Sequence, residues 1–291
     1  DRGWRVATVL DTGPMLILDA QRGFGQSAGP EATALGIARA KQHGLAVVAL
    51  RNSGHLGRIG DFAEMAIDAG LVSIHFVNAY GSVLVAPFGA RERRFSTNPL
   101  CIGLPTGDDR PFVLDFATAL VAEGKILVAA QGGKPVPVGA MVTGEGELTN
   151  DPQAMYGPPP WVPYPDPRKG AGAMRAFGEH KGSGLALACE LLAGALTGSG
   201  STRKTGVPFH NGMLSIYLDP ARMDTGDTFA AEVRAFVDDI RTAAPIDPAE
   251  PVMIPGDKER KTAVERTQDG IPLPPETREL LLGAARRVGL T

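Results

Sequence analysis

The stretch AVVALRNSGHLGRIGDFAEMAIDAGLVSIHFV, residues 46–77, points most directly to the fold class of this chain. It opens with an apolar run at 46–50, continues with a helical pattern at 61–69 that Gly70 closes, and ends with a second apolar run at 72–77. An aspartate in the first turn can cap free amide groups, and a glycine supplies the left-handed residue that ends a helix. Strand, helix and strand at this spacing are typical of a layered α/β core.

The same alternation extends in both directions from this stretch. Upstream, residues 15–18 are predicted to form a strand and residues 31–43 a helix that Gly44 ends. Downstream, the predicted elements are strands at 100–104, 112–114 and 213–218, a helix at 117–130, a buried apolar helix at 181–196, an amphipathic helix that carries Phe229, Val233, Phe236, Val237 and Ile240 on one face, and two charged helices divided by GIPLPPE.

Residues 131–172 are dense in glycine and proline and include the run GPPPWVPYPDP. Such a segment can form neither a long helix nor an interior strand, so it is predicted to be a surface excursion or an arm that contacts a partner. The chain has no internal repeat and no clear linker. We therefore expect one main domain over residues 1–291 with an irregular excursion at 131–172.

Composition excludes several classes of protein. The chain has 291 residues, a net charge of −3 and only 6% aromatic residues, and its basic residues are not clustered, which argues against a nucleic-acid partner. No apolar run reaches the roughly 18 residues of a membrane span. Cys101 and Cys189 lie in apolar runs, as reduced core thiols of a cytoplasmic protein do. No signal peptide is visible, but the chain opens at Asp1 without methionine, so residues can be missing upstream.

One glycine-rich loop admits two interpretations. Residues 23–28, GFGQSA, fit the G-x-G-x-x-G/A pattern of a Rossmann phosphate loop, and Arg51 at the end of the next strand would then meet a 2′-phosphate. However, residues 19–22 separate the preceding strand from Gly23, whereas the pattern needs the glycine at the end of the strand. The other interpretation, which we favour, is a loop that packs and leads into a helix.

His55 is the first candidate for chemistry. Gly54 and Gly57 leave room for a ligand to approach the backbone, and an imidazole titrates near neutral pH, as an acid/base needs to. Arg58 is near enough to pair with the carboxylate of a substrate. The alternative is a loop histidine bonded to a carbonyl group, and the spacing alone leaves both open.

The segment GEHKGSG, residues 178–184, is the second candidate. Free amides and Lys181 at the start of a helix would suit a phosphate, although the spacing is not that of a P-loop. The alternative is an ordinary helix start with an exposed lysine. His43, His75 and His210 are predicted to be structural. Because the chain has no cysteine pair and no H-E-x-x-H motif, no metal site is predicted.

Six segments, taken in chain order, resemble one known family. They are LDAQRGFGQSAG (18–29), VVALRNSGHLGRIGDFAEMA (47–66), LVAPFGARERRFSTNPLCIGLP (84–105), FVLDFATALVAEGKI (112–126), GEHKGSGLALACELLAG (178–194) and PGDKE (255–259). The family they resemble is the malate/L-lactate dehydrogenase family of the second type. It also contains ureidoglycolate dehydrogenase, sulfolactate dehydrogenase, 2,3-diketogulonate reductase and Δ1-piperideine-2-carboxylate reductase.

The resemblance implies a non-Rossmann nicotinamide-binding α/β fold with a mixed, layered sheet, a homodimer, and NAD or NADP as cofactor. It places the family's acid/base on His55 and makes residues 23–28 a packing loop. Arg58, where smaller residues are common, would tune the substrate or contribute nothing. The implied cofactor contacts are Thr97, Asn98, Pro99, Asp115, Phe116, Ala117, His180, Lys181 and Gly182.

The chain also departs from the family's pattern. The N-terminal helical segment with its S-H-G motif and arginine would lie before Asp1, Leu56 stands where an aromatic residue is frequent, and Ser183 stands where a tyrosine is. The expected function is hydride transfer between NAD(P) and a small 2-hydroxy/2-oxo acid. The alternatives are a reductase of a cyclic imine acid and a non-catalytic ligand-binding relative. The sequence leaves the acid, and NAD versus NADP, open.

Overall fold

A computed structural model describes residues 5–108, 110–159, 168–202, 207–226, 228–273 and 275–290. Its strands are β1 (Ala7–Asp11), β2 (Met15–Asp19), β3 (Leu45–Ser53), β4 (Val72–Tyr80), β5 (Val85–Ala86), β6 (Pro99–Leu104), β7 (Phe112–Ala117), β8 (Met141–Val142), β9 (Leu148–Thr149), β10 (Ala173–Arg175) and β11 (His210–Leu218). Its α-helices are α1 (Gly25–His43), α2 (Gly60–Asp68), α3 (Glu123–Ala130), α4 (Gln153–Tyr156), α5 (His180–Cys189), α6 (Phe229–Arg241), α7 (Asp257–Asp269) and α8 (Pro275–Arg287).

The main sheet has seven strands in the order β1-β2-β3-β11-β4-β6-β7. Strands β2 and β3 are parallel, whereas β11 lies between β3 and β4 and is antiparallel to both. The predicted strand–helix–strand order of residues 15–77 is therefore present, with a strand from late in the chain inserted into it. A mixed sheet with helices packed on it confirms the predicted α/β fold class.

Small residues let α1 lie close to the rest of the main core. A Cβ atom at Gly29 would come within 2.2 Å of the Phe62 ring, and one at Gly36 within 2.3 Å of the Tyr217 ring. His75 lies in the same core, as predicted: it is fully buried, and its Nδ1 is 2.8 Å from Ser215 Oγ. Desolvation lowers the pKa of His75 to about 3, so this ring is neutral and structural.

A second, smaller sheet has the order β5-β10-β8-β9 and its own apolar core. Strands β8 and β9 and helix α4 lie within the predicted irregular excursion at 131–172, so the described part of that segment carries regular structure of its own. Most of the run GPPPWVPYPDP, residues 160–167, lies outside the described residues.

Two predicted helices differ from the structure. Residues 117–130 divide into the end of β7 and helix α3, because Thr118 N donates to Thr97 O and Leu120 N donates to Arg175 O, which holds this turn extended. The helix predicted at 181–196 is α5 followed by a π-helical segment, Glu190–Leu196. Its apolar side is not all buried, since the exposed fractions of Leu187, Leu191 and Leu196 are 48%, 53% and 64%.

The C-terminal helices lie at the surface. Helix α6 has the predicted apolar face, yet none of its residues is buried within this chain. Of the helices in the described ranges, none combines the length and the apolar composition that crossing a bilayer requires.

Candidate active site

His55 lies two residues after the end of β3, in the loop where the chain leaves the main sheet, and it borders a cavity of about 460 Å³. The same cavity is lined by Thr97 and Pro99, two of the predicted cofactor contacts. It is also lined by groups that the sequence did not single out, among them Glu123, Arg168, Phe209 and Asn211. The loop after β3 and the residues before β6 therefore meet at one site.

The His55 ring is held by one stacking contact and one hydrogen bond. Its centroid lies 6.0 Å from that of Phe209 at an interplanar angle of 23°, and Gly57 N donates to His55 Nδ1 over 3.0 Å. Because Nδ1 accepts this bond, the neutral ring carries its proton on Nε2. The nitrogen left for a ligand is Nε2.

The glycine-rich loop at residues 23–28 packs against the backbone of the loop that carries His55. A Cβ atom at Gly25 would lie 2.1 Å from His55 O and 2.5 Å from Gly54 O, which no side chain permits. Gly54 N also donates to Gly23 O over 2.9 Å. Gly25 of this loop and Gly54 of the His55 loop are thus required for contact between two stretches of backbone, and this geometry favours the packing interpretation.

A buried polar network fixes the His55 loop from the other side. Leu56 N donates to Asn211 Oδ1 over 3.0 Å, and Asn211 Nδ2 donates to Asn78 O over 2.8 Å. Asn78 Oδ1 accepts in turn from Gly212 N over 3.1 Å. Because these groups lie inside the protein, breaking any one bond leaves a desolvated partner, and the loop is held stiffly.

Glu190, 4% exposed, anchors this network. Its carboxylate accepts from Asn98 Nδ2 over 2.8 Å, from Asn78 Nδ2 over 3.2 Å and from Thr202 N over 2.7 Å. It thereby connects a predicted cofactor residue, Asn98, with the network that holds the His55 loop. A sequence signal did exist, since Glu190 is the lone acid in the apolar segment 181–196.

The two predicted cofactor segments at 97–99 and 115–117 are neighbours. Pro99 pairs with Ala117 across β6 and β7, and Thr118 Oγ1 donates to the carbonyl oxygens of Thr97 and Asn98, both over 3.0 Å. The Phe116 ring contacts the Phe177 ring edge-on at 5.5 Å, which brings the residues before α5 to the same place.

Asp115 caps α2 in place of the aspartate predicted to do so. Its Oδ2 accepts from Gly60 N over 2.7 Å, whereas Asp61 pairs with Arg58. Burial raises the pKa of Asp115, an effect that the bond from Gly60 opposes. This carboxylate therefore joins the start of α2 to the predicted cofactor strand.

The start of α5 differs from the expected phosphate cradle. The amides of Lys181, Gly182 and Ser183 donate to the carbonyl oxygens of residues 178, 177 and 179, so these three are not free for a ligand. The side chains of His180 and Lys181 are exposed, and the His180 ring lies 5.9 Å from the ring of Phe88. An anion that bound at the start of α5 would therefore contact the side chains of His180 and Lys181 rather than these three amides.

Arg58 lies outside the His55 cavity. Its guanidinium donates to Asp61 Oδ1 over 2.7 Å and to Glu64 Oε1 over 2.8 Å, and these carboxylates raise its pKa further above the usual value. It lines a separate cavity of about 950 Å³ beside α7. The structure does not place Arg58 with His55, so its contact with a substrate stays a prediction.

Comparisons with known proteins identify the family of this chain. A family model described as malate/L-lactate dehydrogenase matches residues 3–281. The chain belongs to this family. As a member of the malate/L-lactate dehydrogenase family, it is an oxidoreductase, and the family expected from the six segments is confirmed.

Three relatives illustrate the range of the malate/L-lactate dehydrogenase family. Hydroxycarboxylate dehydrogenase B from Escherichia coli (strain K12) is 41% identical over 288 residues, which are 97% of this chain and 76% of that protein. Delta(1)-pyrroline-2-carboxylate/Delta(1)-piperideine-2-carboxylate reductase from Pseudomonas putida is 34% identical over 76% of this chain and 62% of its own length. The solved sulfolactate dehydrogenase from Methanocaldococcus jannaschii has a TM-score of 0.83 at 30% identity, over 98% of this chain and 79% of that one.

The described residues contain no cluster of side chains that could bind a metal ion. No three histidine, cysteine, aspartate or glutamate side chains converge there as metal ligands do. Both cysteines are buried and free, and burial raises the pKa of the Cys101 and Cys189 thiols.

Proposed function

We propose that this family member transfers a hydride between NAD or NADP and a small 2-hydroxy/2-oxo acid, with His55 as the acid/base. The observation that carries the proposal is His55, whose Nε2 has no hydrogen-bond partner among the described residues, in one cavity with Thr97 and Pro99. The hydroxycarboxylate and sulfolactate dehydrogenases among its relatives support the substrate class.

The residues present fit a nicotinamide cofactor. The cavity has apolar walls and hydroxyl groups, including those of Ser82, Ser96 and Thr97. Pockets that bind small molecules and cofactors usually combine apolar walls with a few polar groups that fix the orientation of the ligand. Residues 97–99 and 115–117 would hold the cofactor, and the exposed side chains of His180 and Lys181 would meet its phosphates. When bound, the nicotinamide supplies or accepts the hydride.

The residues around His55 determine how it handles the proton. In the reducing direction the protonated ring carries a hydrogen on each nitrogen, so Nδ1 gives up the bond from Gly57 N and Nε2 donates to the substrate oxygen, while the stacked ring of Phe209 keeps the ring plane in place. In the oxidising direction Nε2 needs a lone pair, so the proton sits on Nδ1 and the bond from Gly57 N is given up. The network through Leu56 and Asn211 keeps the backbone fixed during this change.

The test is NAD(P)H consumption at 340 nm with a panel of small 2-oxo acids. We expect His55→Ala to lower kcat by about 10²–10⁴-fold while the Kd of the cofactor stays the same, because only proton transfer is lost. His43→Gln, at the exposed end of α1, is the matched control and should keep full activity. A His55→Ala variant that retains more than about a tenth of kcat would exclude His55 as the acid/base.

The same assay separates the alternatives. Turnover of a cyclic imine acid in preference to 2-oxo acids would place the chain with its relative, the Pseudomonas putida reductase. Cofactor binding without any change at 340 nm would indicate a non-catalytic relative.

The proposal extends to a homodimer in the cytoplasm. The exposed apolar side chains of Leu187, Leu191 and Leu196 support a partner surface, and the free thiols of Cys101 and Cys189 support a reducing compartment. Light scattering coupled to size-exclusion chromatography tests the dimer, which a mass near the 30.4 kDa of one chain would contradict.

A further inference from the structure

Arg168 and Glu123 form a charged pair on the wall of the His55 cavity, at a position that the function above leaves without a role. Arg168 Nε donates to Glu123 Oε1 over 2.5 Å and Nη2 donates to Glu123 Oε2 over 2.9 Å. The pair is bidentate and uses one edge of the guanidinium. The side chain of Arg168 is 36% exposed, so the group is not sealed off from the cavity.

The second edge of this guanidinium faces no hydrogen-bond acceptor in the part of the chain that the structure describes. A guanidinium has five N–H donors, and the bonds to Glu123 use one from Nε and one from Nη2. Within the described residues, no group accepts from Arg168 Nη1. The two Nη1 donors and the remaining Nη2 donor match the spacing of a carboxylate, which can bind end-on without displacing Glu123.

Arg93 holds the backbone around Arg168 and adds charge. Its guanidinium donates to Gly170 O over 2.6 Å, to Gly172 O over 2.6 Å and to Arg168 O over 3.2 Å, and no carboxylate is among its described partners. The guanidinium groups of Arg93 and Arg168 carry two positive charges, and the Glu123 carboxylate beside them carries one negative charge. This group of three side chains therefore has a net charge of +1. A half-buried excess cation attracts an anion more strongly than a solvated one does, because water screens it less.

We propose that Arg168, oriented by Glu123, is the group of the His55 cavity that binds the carboxylate of the substrate. This inference rests on the proposed function, since it names the residue that makes an acid rather than a neutral ketone the substrate. Arg58, the arginine that sequence pattern favoured, already donates from Nη1 and Nη2 to Asp61 and Glu64 and lies outside this cavity.

The experiment measures binding of oxalate, an unreactive dicarboxylate, by calorimetry, with and without the reduced cofactor. We expect Arg168→Gln to weaken oxalate binding by about 10- to 100-fold, the usual loss for a charge-assisted hydrogen-bond pair. Arg168→Lys keeps the positive charge but not the two parallel N–H donors of the guanidinium, so it should weaken oxalate binding less than Arg168→Gln does. Arg278→Gln, an exposed arginine on α8, is the matched control.

A kinetic measurement distinguishes loss of the carboxylate contact from a general loss of structure, which would lower kcat/KM for charged and neutral substrates alike. The ratio of kcat/KM for a 2-oxo acid to that for its amide should fall at least about tenfold in Arg168→Gln, while the Kd of the cofactor stays within about twofold. Unchanged oxalate binding, or a wild-type chain that does not bind oxalate, would overturn the inference. Loss of cofactor affinity with oxalate binding intact would also overturn it, because the anion would then be a cofactor phosphate.

The two proposals fail in different ways. If oxalate binds through Arg168 but no acid is turned over, the proposed function fails and the carboxylate site stands. If acids are turned over and Arg168→Gln leaves oxalate binding and the acid-to-amide ratio unchanged, the site fails and the function stands.

Discussion

The loops before α1 and α5 look alike in sequence and differ in what they serve. Both are glycine-rich, and both begin helices whose first amides donate to carbonyl groups of the chain itself. At the first, Gly25 lies against the backbone of His55, and the exposed side chains are the uncharged Phe24, Gln26 and Ser27. At the second, Gly182 lies against Phe177 O, and the exposed side chains include His180 and Lys181 beside Glu179, which pairs with Arg175. A glycine in such a loop indicates that another group packs closely against the backbone. The side chains exposed beside it indicate whether the loop can also bind a ligand.

The largest effect is expected at the first loop. In Gly25→Ala the new Cβ would lie 2.1 Å from His55 O, so the His55 loop must move. Since a displacement of about 1 Å at a reacting group can cost 10²-fold, we expect kcat/KM to fall by about 10²-fold or more. Steady-state kinetics checks this, with Gly283→Ala on α8, where a Cβ meets nothing within 4 Å, as the control. Wild-type kinetics in Gly25→Ala would contradict the supporting role.

A smaller and different effect is expected at the second loop. In Gly182→Ala the Cβ would lie 2.1 Å from Phe177 O, so the start of α5 shifts and the His55 loop does not. We expect the Kd of the cofactor to rise by about tenfold, with kcat at saturating cofactor nearly unchanged. Fluorescence titration of NAD(P)H measures the first quantity. A fall in kcat as large as that of Gly25→Ala would remove the distinction between the loops.

The smallest effect, of opposite sign, is expected two residues further on. Gly184 is an exposed, helical residue of α5 with nothing within 4 Å of an added Cβ. Gly184→Ala should therefore raise the free energy of unfolding by about 0.5–1 kcal/mol, the usual gain for alanine over glycine in a helix, and leave activity unchanged. Urea denaturation measures the change. A loss of stability would mean that this glycine, too, is needed for close approach.

Much of the fold followed from local pattern. The helices and strands of residues 15–77 are where the apolar periodicity predicts them, although α1 begins at Gly25 rather than at residue 31. The position of β11 could not be predicted, since its pairing with β3 and β4 joins residues more than a hundred positions apart. Hydrophobic periodicity reports which side of a strand is buried and not which strand lies beside it.

The candidate site was predicted in part. His55, Thr97 and Pro99 share a cavity, as the resemblance to the family implied. Arg168 was missed because it lies in a glycine- and proline-rich segment that gave no periodic signal, and Asn211 because it looked like part of a turn before a strand. Their roles depend on distances across the fold, such as that between Asn211 and Leu56, which no local pattern encodes.

The placement of β11 determines the order in which the molecule can be completed. As the chain leaves the ribosome, β3 and β4 emerge early, but the strand that pairs with both is residues 210–218. Until then, each of the two has an unpaired edge of amide and carbonyl groups that another chain could join. The main sheet is complete only after residue 218 has been made, and the loop that carries His55 acquires its bond to Asn211 in that same late event.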